Sequence, residues 1–296
     1  MTPELAKLIR GGIWSMEPQA WQDWLVRVQD REEAPEPPEL AEQCFVPGDL
    51  PVAKLEGVAT VAGKVAVVPI SGVIGKDFSY WVDVSAEALS ALVARLMADP
   101  DIGAIVFDID SPGGYVFGVP ELSAELRGWR GIKPMYSVAS GMMASAAYWL
   151  GSATDKVLVS PSSLTGSIGV WCAHIDVSKA MEEIGYKVTL ISAGKYKVEG
   201  NPYEPLSEEA HEAMLTEVQS YYDQFVADVA KQRNRRETTV RSGFGEGRVL
   251  PADRAVDEHL ADGVATLQQV VGSLLPKKTS GRSASARARL AIEQAY

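Results

Sequence analysis

Ser145, in Ala139-Ser-Gly-Met-Met-Ala-Ser-Ala-Ala-Tyr148, is followed 52 residues on by Lys197, in Ala193-Gly-Lys-Tyr-Lys-Val-Glu-Gly-Asn-Pro-Tyr203. A serine hydroxyl is a weak nucleophile until a base takes its proton, and lysine serves as that base only where burial or nearby cations lower its pKa. The pair therefore points first to a serine/lysine hydrolase. Two further segments offer what such chemistry needs. Ser111-Pro-Gly-Gly114 follows the apolar run ending Phe107-Asp-Ile-Asp110, and its glycines, Gly113 and Gly114, let the backbone turn N–H groups toward a carbonyl oxygen. Thr165-Gly-Ser-Ile-Gly-Val170 supplies Ser167, a hydroxyl able to hydrogen-bond a lysine amine and orient its lone pair.

Each feature has a plainer explanation. Small residues around Ser145 also suit a helix packed tightly on a strand, Pro-Gly-Gly is ordinary turn punctuation, and loop lysines are mostly solvated. Lys195 and Lys187 compete with Lys197 for the role of base. His174 is the rival from a Ser/His/Asp arrangement, whereas His211 and His259 fall among charged residues on expected helices and read as solvated.

The elements that must position these residues alternate. Val65–Ile70, Ala104–Ile109, Pro134–Val138, Lys156–Ser160 and Val188–Ser192 read as strands. Ser85–Ala98 (capped by Ser85), Val119–Trp129, Met142–Leu150, Val177–Ile184 and Ser207–Arg233 read as helices. Such alternation predicts an α/β domain with largely parallel strands. Ser145 then falls in the first turn of a helix, where unpaired N–H groups and the helix dipole favour negative charge. Before this domain, Ile13-Trp14, Trp21 and Trp24-Leu-Val26 recur at helical spacing and Arg31–Glu39 is charged and proline-rich. The expected organisation is a helical arm and linker over 1–56, a catalytic domain over 57–275 and a basic flexible tail over 276–296.

Composition narrows the class. With 296 residues, 46% hydrophobic and 23% charged, the chain can bury a full core, and no run approaches the length needed to span a bilayer. A cytoplasmic, unanchored protein is expected, since the amino terminus lacks a signal-peptide pattern. Cys44 and Cys172 sit in apolar contexts without CxxC spacing, which suggests neither disulfide nor zinc. The net charge is −11, but the tail carries five Lys/Arg and one Glu, leaving 23 basic against 38 acidic residues (−15) in the body. An acidic body argues against nucleic-acid binding as the main task.

Taken together, Ser111-Pro-Gly-Gly114, Ala144-Ser-Ala-Ala-Tyr148, Thr165–Val170 and Gly194–Tyr203 resemble the serine peptidase family of signal peptide peptidase A and the phage prohead (capsid maturation) proteases, over about residues 60–270. The resemblance implies a ClpP/crotonase-like fold of stacked ββα units with a short helical amino-terminal arm. It also implies Ser145 as nucleophile, Lys197 as base, Ser167 in support, and Gly114 in the oxyanion hole, with Ala146 as the helix-start donor and Gly113 beside them. No metal or other cofactor is implied. Where signal peptide peptidases follow their serine with Gly-Gly, Ala146-Ala147 stand here, and the phage branch fits better. The expectation is an endopeptidase acting on scaffold, portal or capsid proteins within a homo-oligomer, in the host cytoplasm or prohead. Its rivals are a signal peptide peptidase recruited to the membrane by a partner, a crotonase-like acyl-CoA enzyme, and a non-enzymatic assembly component.

Overall fold

Runs of Val, Ile and Ala at two-residue spacing become strands wherever both faces find a cover. The computed structural model describes residues 14–16, 64–77 and 82–275; Cys44, the basic tail, the linker and most of the arm fall outside them. Strands β2 (Lys64–Ser71), β5 (Ile102–Ser111), β7 (Met135–Ala144) and β8 (Lys156–Val159) lie side by side and parallel. The sheet continues past β8 with β11 (Gly263–Val264). At its other branch β9 (Leu164–Gly166) pairs with the end of β7, and β10 (Val249–Pro251) runs antiparallel to β9.

A second, smaller sheet has the order β1 (Trp14–Met16), β6 (Gly113–Tyr115), β3 (Ile74–Gly75), β4 (Val84–Ser85). The chain passes from β2 to β3 and β4 and then into helix α1 (Ala86–Ala98), and from β5 to β6 and then into α2 (Val119–Gly128). These repeats are the stacked ββα units. In α1, Leu89, Leu92, Val93 and Leu96 recur on one buried face, and the Ser85 hydroxyl caps the first turn by accepting from the Ala88 N–H at 3.1 Å.

Helix α3 (Ala146–Ser152) is buried at every position. Its Trp149 ring stacks on Phe225 of the long helix α5 (Glu208–Gln232) with centroids 4.3 Å apart, and its indole N–H donates to Asp228 at 3.0 Å. The carbonyls left open at the end of α3 are taken by Arg130, whose Nη2 and Nε reach Ser152 O (2.6 Å) and Ala153 O (2.7 Å). Of the short helix α4 (Ser178–Glu183) nothing is buried, and between its two ends α5 itself is largely open, with buried side chains only at Ala210 and from Phe225 onward. The other face of the main sheet is covered by α8 (Leu267–Leu274), whose Val270 packs on Val65, Val106 and Val138.

Three expectations are corrected. β7 does not stop at Val138 but runs on to Ala144, so the helix begins at Ala146 rather than Met142. Segment 188–192 is exposed coil, because among the described residues no strand pairs with its backbone. Trp14–Met16 is extended where apolar spacing predicts helix, because its backbone is bound by neighbours on two edges.

The turn between α7 (Ala252–Asp257) and β11 is clasped onto this frame. Asp262 accepts from the Val157 N–H at 2.7 Å and forms a two-pronged pair with Arg233 (2.7 and 3.0 Å), and Leu260 O accepts from the Tyr148 hydroxyl of α3 at 2.9 Å. Burial works to raise the Asp262 pKa, but the bonds from Arg233 and Val157 outweigh it and hold the carboxyl below its ordinary value. The unfolded chain therefore binds this proton first as pH falls, and the stability the clasp contributes is lost below about pH 4. Asp262→Asn is expected to cost roughly 2 kcal/mol near pH 7, less than orphaning a fully buried charge because water screens the open side of Asp262. Urea midpoints of the two proteins should converge as pH is lowered through that range; a gap that stays constant with pH contradicts the assignment.

Candidate active site

The ladder between β5 and β7 is interrupted at one place. Ile109 pairs with Ala139, but the next pair is Ser111 with Met143, so β7 spends two residues more than β5 in the same interval. Two carboxylates from β5 satisfy the bulge: the Ser140 hydroxyl donates to Asp108, and the Met142 N–H donates to Asp110 at 2.9 Å. Gly141 lies so close to the Asp110 carboxylate that a Cβ there would overlap it. Before the bulge β7 pairs with β8 through Tyr136–Ala139, and after it with β9 through Met142–Ala144. The change of partner sets Ala144 opposite Gly166 and lets the Ser145 N–H donate to Gly166 O at 2.7 Å.

Ser145 is therefore not in the first turn of α3 but at its N-cap, with φ 56° and ψ −120°. A non-glycine residue held at positive φ costs about 1–3 kcal/mol and persists only where its surroundings enforce it, a situation concentrated at functional sites. Here the enforcing elements are the ladder on one side and the buried α3 on the other. The side chain is buried, with its Oγ 3.4 Å from Gly169 O. Ser167, one residue past the partner strand's Gly166, is also buried and also at positive φ (53°), and its N–H donates to Arg248 O at 2.8 Å. Two serines thus emerge from adjacent strand ends. Ala146 follows as the first, fully buried residue of α3.

Gly113 and Gly114 form β6, packed against α3. The turn into β6 is built by Ser111, whose hydroxyl donates to Gly72 O at 2.6 Å and accepts from the Gly113 N–H at 3.2 Å. Gly113 has φ +102°, and a Cβ on Gly114 would overlap the Ile74 carbonyl. Close backbone approach is thus sufficient reason for glycine at 114, independent of any chemistry there. Next in the strand, Tyr115 has its hydroxyl buried with no hydrogen-bond partner among the described residues, and burial raises the phenol pKa.

The candidate bases are exposed or bound elsewhere among the described residues. Lys197 is exposed, and its amine makes no hydrogen bond or ion pair among the described residues. Lys187 is exposed as well. Lys195 is bound to Glu209 at 2.8 Å and to the Tyr196 hydroxyl at 2.6 Å; hydrogen bonding to Glu209 raises its pKa, the wrong direction for a base. The His174 ring is held by Asn201 O at 3.0 Å, His211 is exposed on α5, and His259 is exposed in a turn at φ +67° rather than on a helix. Cys172 is a half-buried free thiol whose pKa burial raises, with Glu217 adding to the effect. Sequence reasoning missed Ser111, Asp108 and Asp110 as the residues that shape the site. Their signal was present, since Asp108 and Asp110 stand at strand spacing on one face at the end of an apolar run.

Among the described residues no helix is long and apolar enough to cross a membrane, and no cluster of His, Cys, Asp and Glu is arranged to hold a metal ion. The chain is similar to "Capsid assembly protease C" of Escherichia phage lambda, 32% identical over 206 residues covering 68% of this chain and 46% of that protein. It is similar to "Putative signal peptide peptidase SppA" of Enterococcus faecium, 27% identical over 62% of this chain and 54% of the relative. "Head-tail preconnector protein GP5" of Enterobacteria phage P21 is 32% identical over 55% and 30% respectively. The chain spans about half or less of the length of these curated relatives. Residues 129–279, which include Ser145, Ser167 and Lys197, match the description "Peptidase family S49". With half its residues inside that match and its ββα units stacked in the ClpP/crotonase-like manner, the chain belongs to peptidase family S49.

Proposed function

We propose that the protein is a serine endopeptidase using a Ser145/Lys197 dyad, and that its substrates are proteins of a phage head under assembly, namely scaffold, portal or capsid chains. The observation that carries the reading is the buried Ser145 at positive φ, at a strand end and a helix start, beside Ser167. In this reading Lys197 takes the Ser145 proton as Oγ attacks the peptide carbonyl. The N–H groups of Gly114 and Ala146 hold the oxyanion, with Gly113 setting the strand and Ser167 orienting the amine. The protonated lysine then gives its proton to the leaving amine, and water, activated by the same lysine, releases the acyl group from Ser145. The head-protein assignment is supported by the two phage relatives, whose names belong to capsid assembly and the head–tail junction.

A lysine base needs desolvation, and in the single chain Lys197 is exposed. The segment around it carries large apolar side chains in water: Ile184 is 64% exposed, Ile191 96%, and Tyr186 and Tyr196 are also open. Apolar surface so displayed favours an oligomer. A second copy of the chain seated on this segment would bury Lys197 and bring it to a serine. Homo-oligomerisation is accordingly part of the proposal, in the host cytoplasm or the prohead.

Ser145→Ala and Lys197→Ala should each lower cleavage of co-expressed head proteins about 10³-fold or more while leaving the melting temperature near that of the native chain. Undiminished processing by folded Ser145→Ala ends the assignment. Mixing the two inactive variants in equal amounts tests the shared site. Roughly a quarter of native activity should return, since about half the chains keep the serine and about half of their neighbours keep the lysine. If nothing returns after verified subunit exchange, the base comes from the same chain or from another residue.

A further inference from the structure

Strand β1 is three residues long, yet it is bound on both edges by chain far from it in sequence. On one edge it lies antiparallel to β6, with Trp14 opposite Tyr115, Ser15 opposite Gly114 and Met16 opposite Gly113. On the other, Trp14 exchanges both backbone bonds with Trp171: its N–H donates to Trp171 O at 2.8 Å and its carbonyl accepts from the Trp171 N–H at 2.9 Å. The Trp171 indole N–H adds a bond to Met16 O at 3.1 Å. Trp14 and Met16 are fully buried, and the Trp14 ring lies with its centroid 3.7 Å from that of Tyr115.

In an antiparallel ladder the backbone groups of successive residues point to opposite edges. Since Trp14 spends its N–H and carbonyl on Trp171, those of Ser15 face Gly114. The carbonyl of Ser15 therefore sits at the amide assigned above to the oxyanion. A short extended segment held by main-chain bonds on both edges, with alternate side chains in apolar seats, is the geometry of peptide recognition by strand addition.

We infer that the slot between β6 and Trp171 is the channel for the substrate polypeptide, and that β1 is an internal occupant which substrate must displace. This rests on the Ser145/Gly114 reading proposed above. The register fixes a preference as well: the residue preceding the one that bears the attacked carbonyl occupies the Trp14 seat and is aromatic or large and apolar.

The test uses the full chain and two variants that leave Ser145, Gly114 and Lys197 untouched. Ser15→Pro removes the N–H that pairs with β6, and Trp14→Ala empties the seat. Labelling of Ser145 by a fluorophosphonate probe, located by mass mapping, and cleavage of quenched peptides are followed for each. If β1 fills the channel for nine-tenths of the time or more, both rates should rise about tenfold or more in the variants. Peptides with Trp or Phe as the second residue before the cut should be preferred over those with Ala or Asp there. A dye-labelled peptide spanning residues 10–20 should bind Ser15→Pro and suppress its cleavage of substrate, and its Trp14→Ala counterpart should do neither. Equal rates in an active native chain and both variants, or lost activity in variants that melt like the native chain, would show β1 to be a fixed wall and overturn the inference. If Ser145 labels in none of the proteins, the nucleophile assignment fails instead. Anisotropy of the dye-labelled peptide then still decides the occupant: binding to Ser15→Pro but not to the native chain supports it, and equal binding to both overturns it.

Discussion

The bulge between β5 and β7 is the constraint on which the site depends. By spending two extra residues at Ser140–Met142, β7 leaves one neighbour and takes another, and this alone puts Ala144 against Gly166 and Ser145 beside Ser167. The bulge is kept in place by charge and crowding together. Asp108 and Asp110 bind the freed donors, and the space beside Gly141 is already full. The positive φ of Ser145 is then what remains once strand and helix directions are both fixed. Because α3 is buried throughout and tied to α5, to Arg130 and to Leu260, relaxing that torsion would mean moving the core.

The second sheet does a different job. β6 leaves the end of β5 within one residue, turned by Ser111, and runs against α3 with its glycine backbone close to Ile74. One edge of β6 pairs with β3 and the other with β1, so its second edge is filled by a segment with no covalent neighbour nearby among the described residues. Beyond it, α4, segment 184–196 and much of α5 expose apolar surface that a single chain leaves uncovered. The buried part of the molecule thus carries the serines and the glycine strand, and an exposed segment carries the lysine.

Much of this was legible in the sequence where burial imposes a period. Leu89, Leu92, Val93 and Leu96 announce α1, Ser85 and Ser207 announce their helices as caps, and the Val/Ile runs announce β2, β5 and β8. The end of β7 was not legible. Gly141-Met-Met-Ala144 is small and apolar, which suits a helix start as well as a strand, and only the pairing with β9 decides between them. Val188–Ser192 shows the opposite failure, since its residues favour a strand but no edge receives them. Trp14 reads as part of a helical stripe because spacing says nothing about a partner a hundred residues away.

The sequence by itself determined the α/β alternation, the four short motifs and the serine, glycine and lysine types that make a hydrolase worth considering, because local period and residue chemistry are properties of short segments. Only the tertiary structure decided that Ser145 is an N-cap held at positive φ beside Ser167, that Lys197 stands in the open in one chain, and that Trp14–Met16 lies on Gly113–Tyr115 as a strand. Those outcomes depend on which distant backbone supplies the missing hydrogen bonds. No local pattern encodes that choice; the global packing of the two sheets makes it.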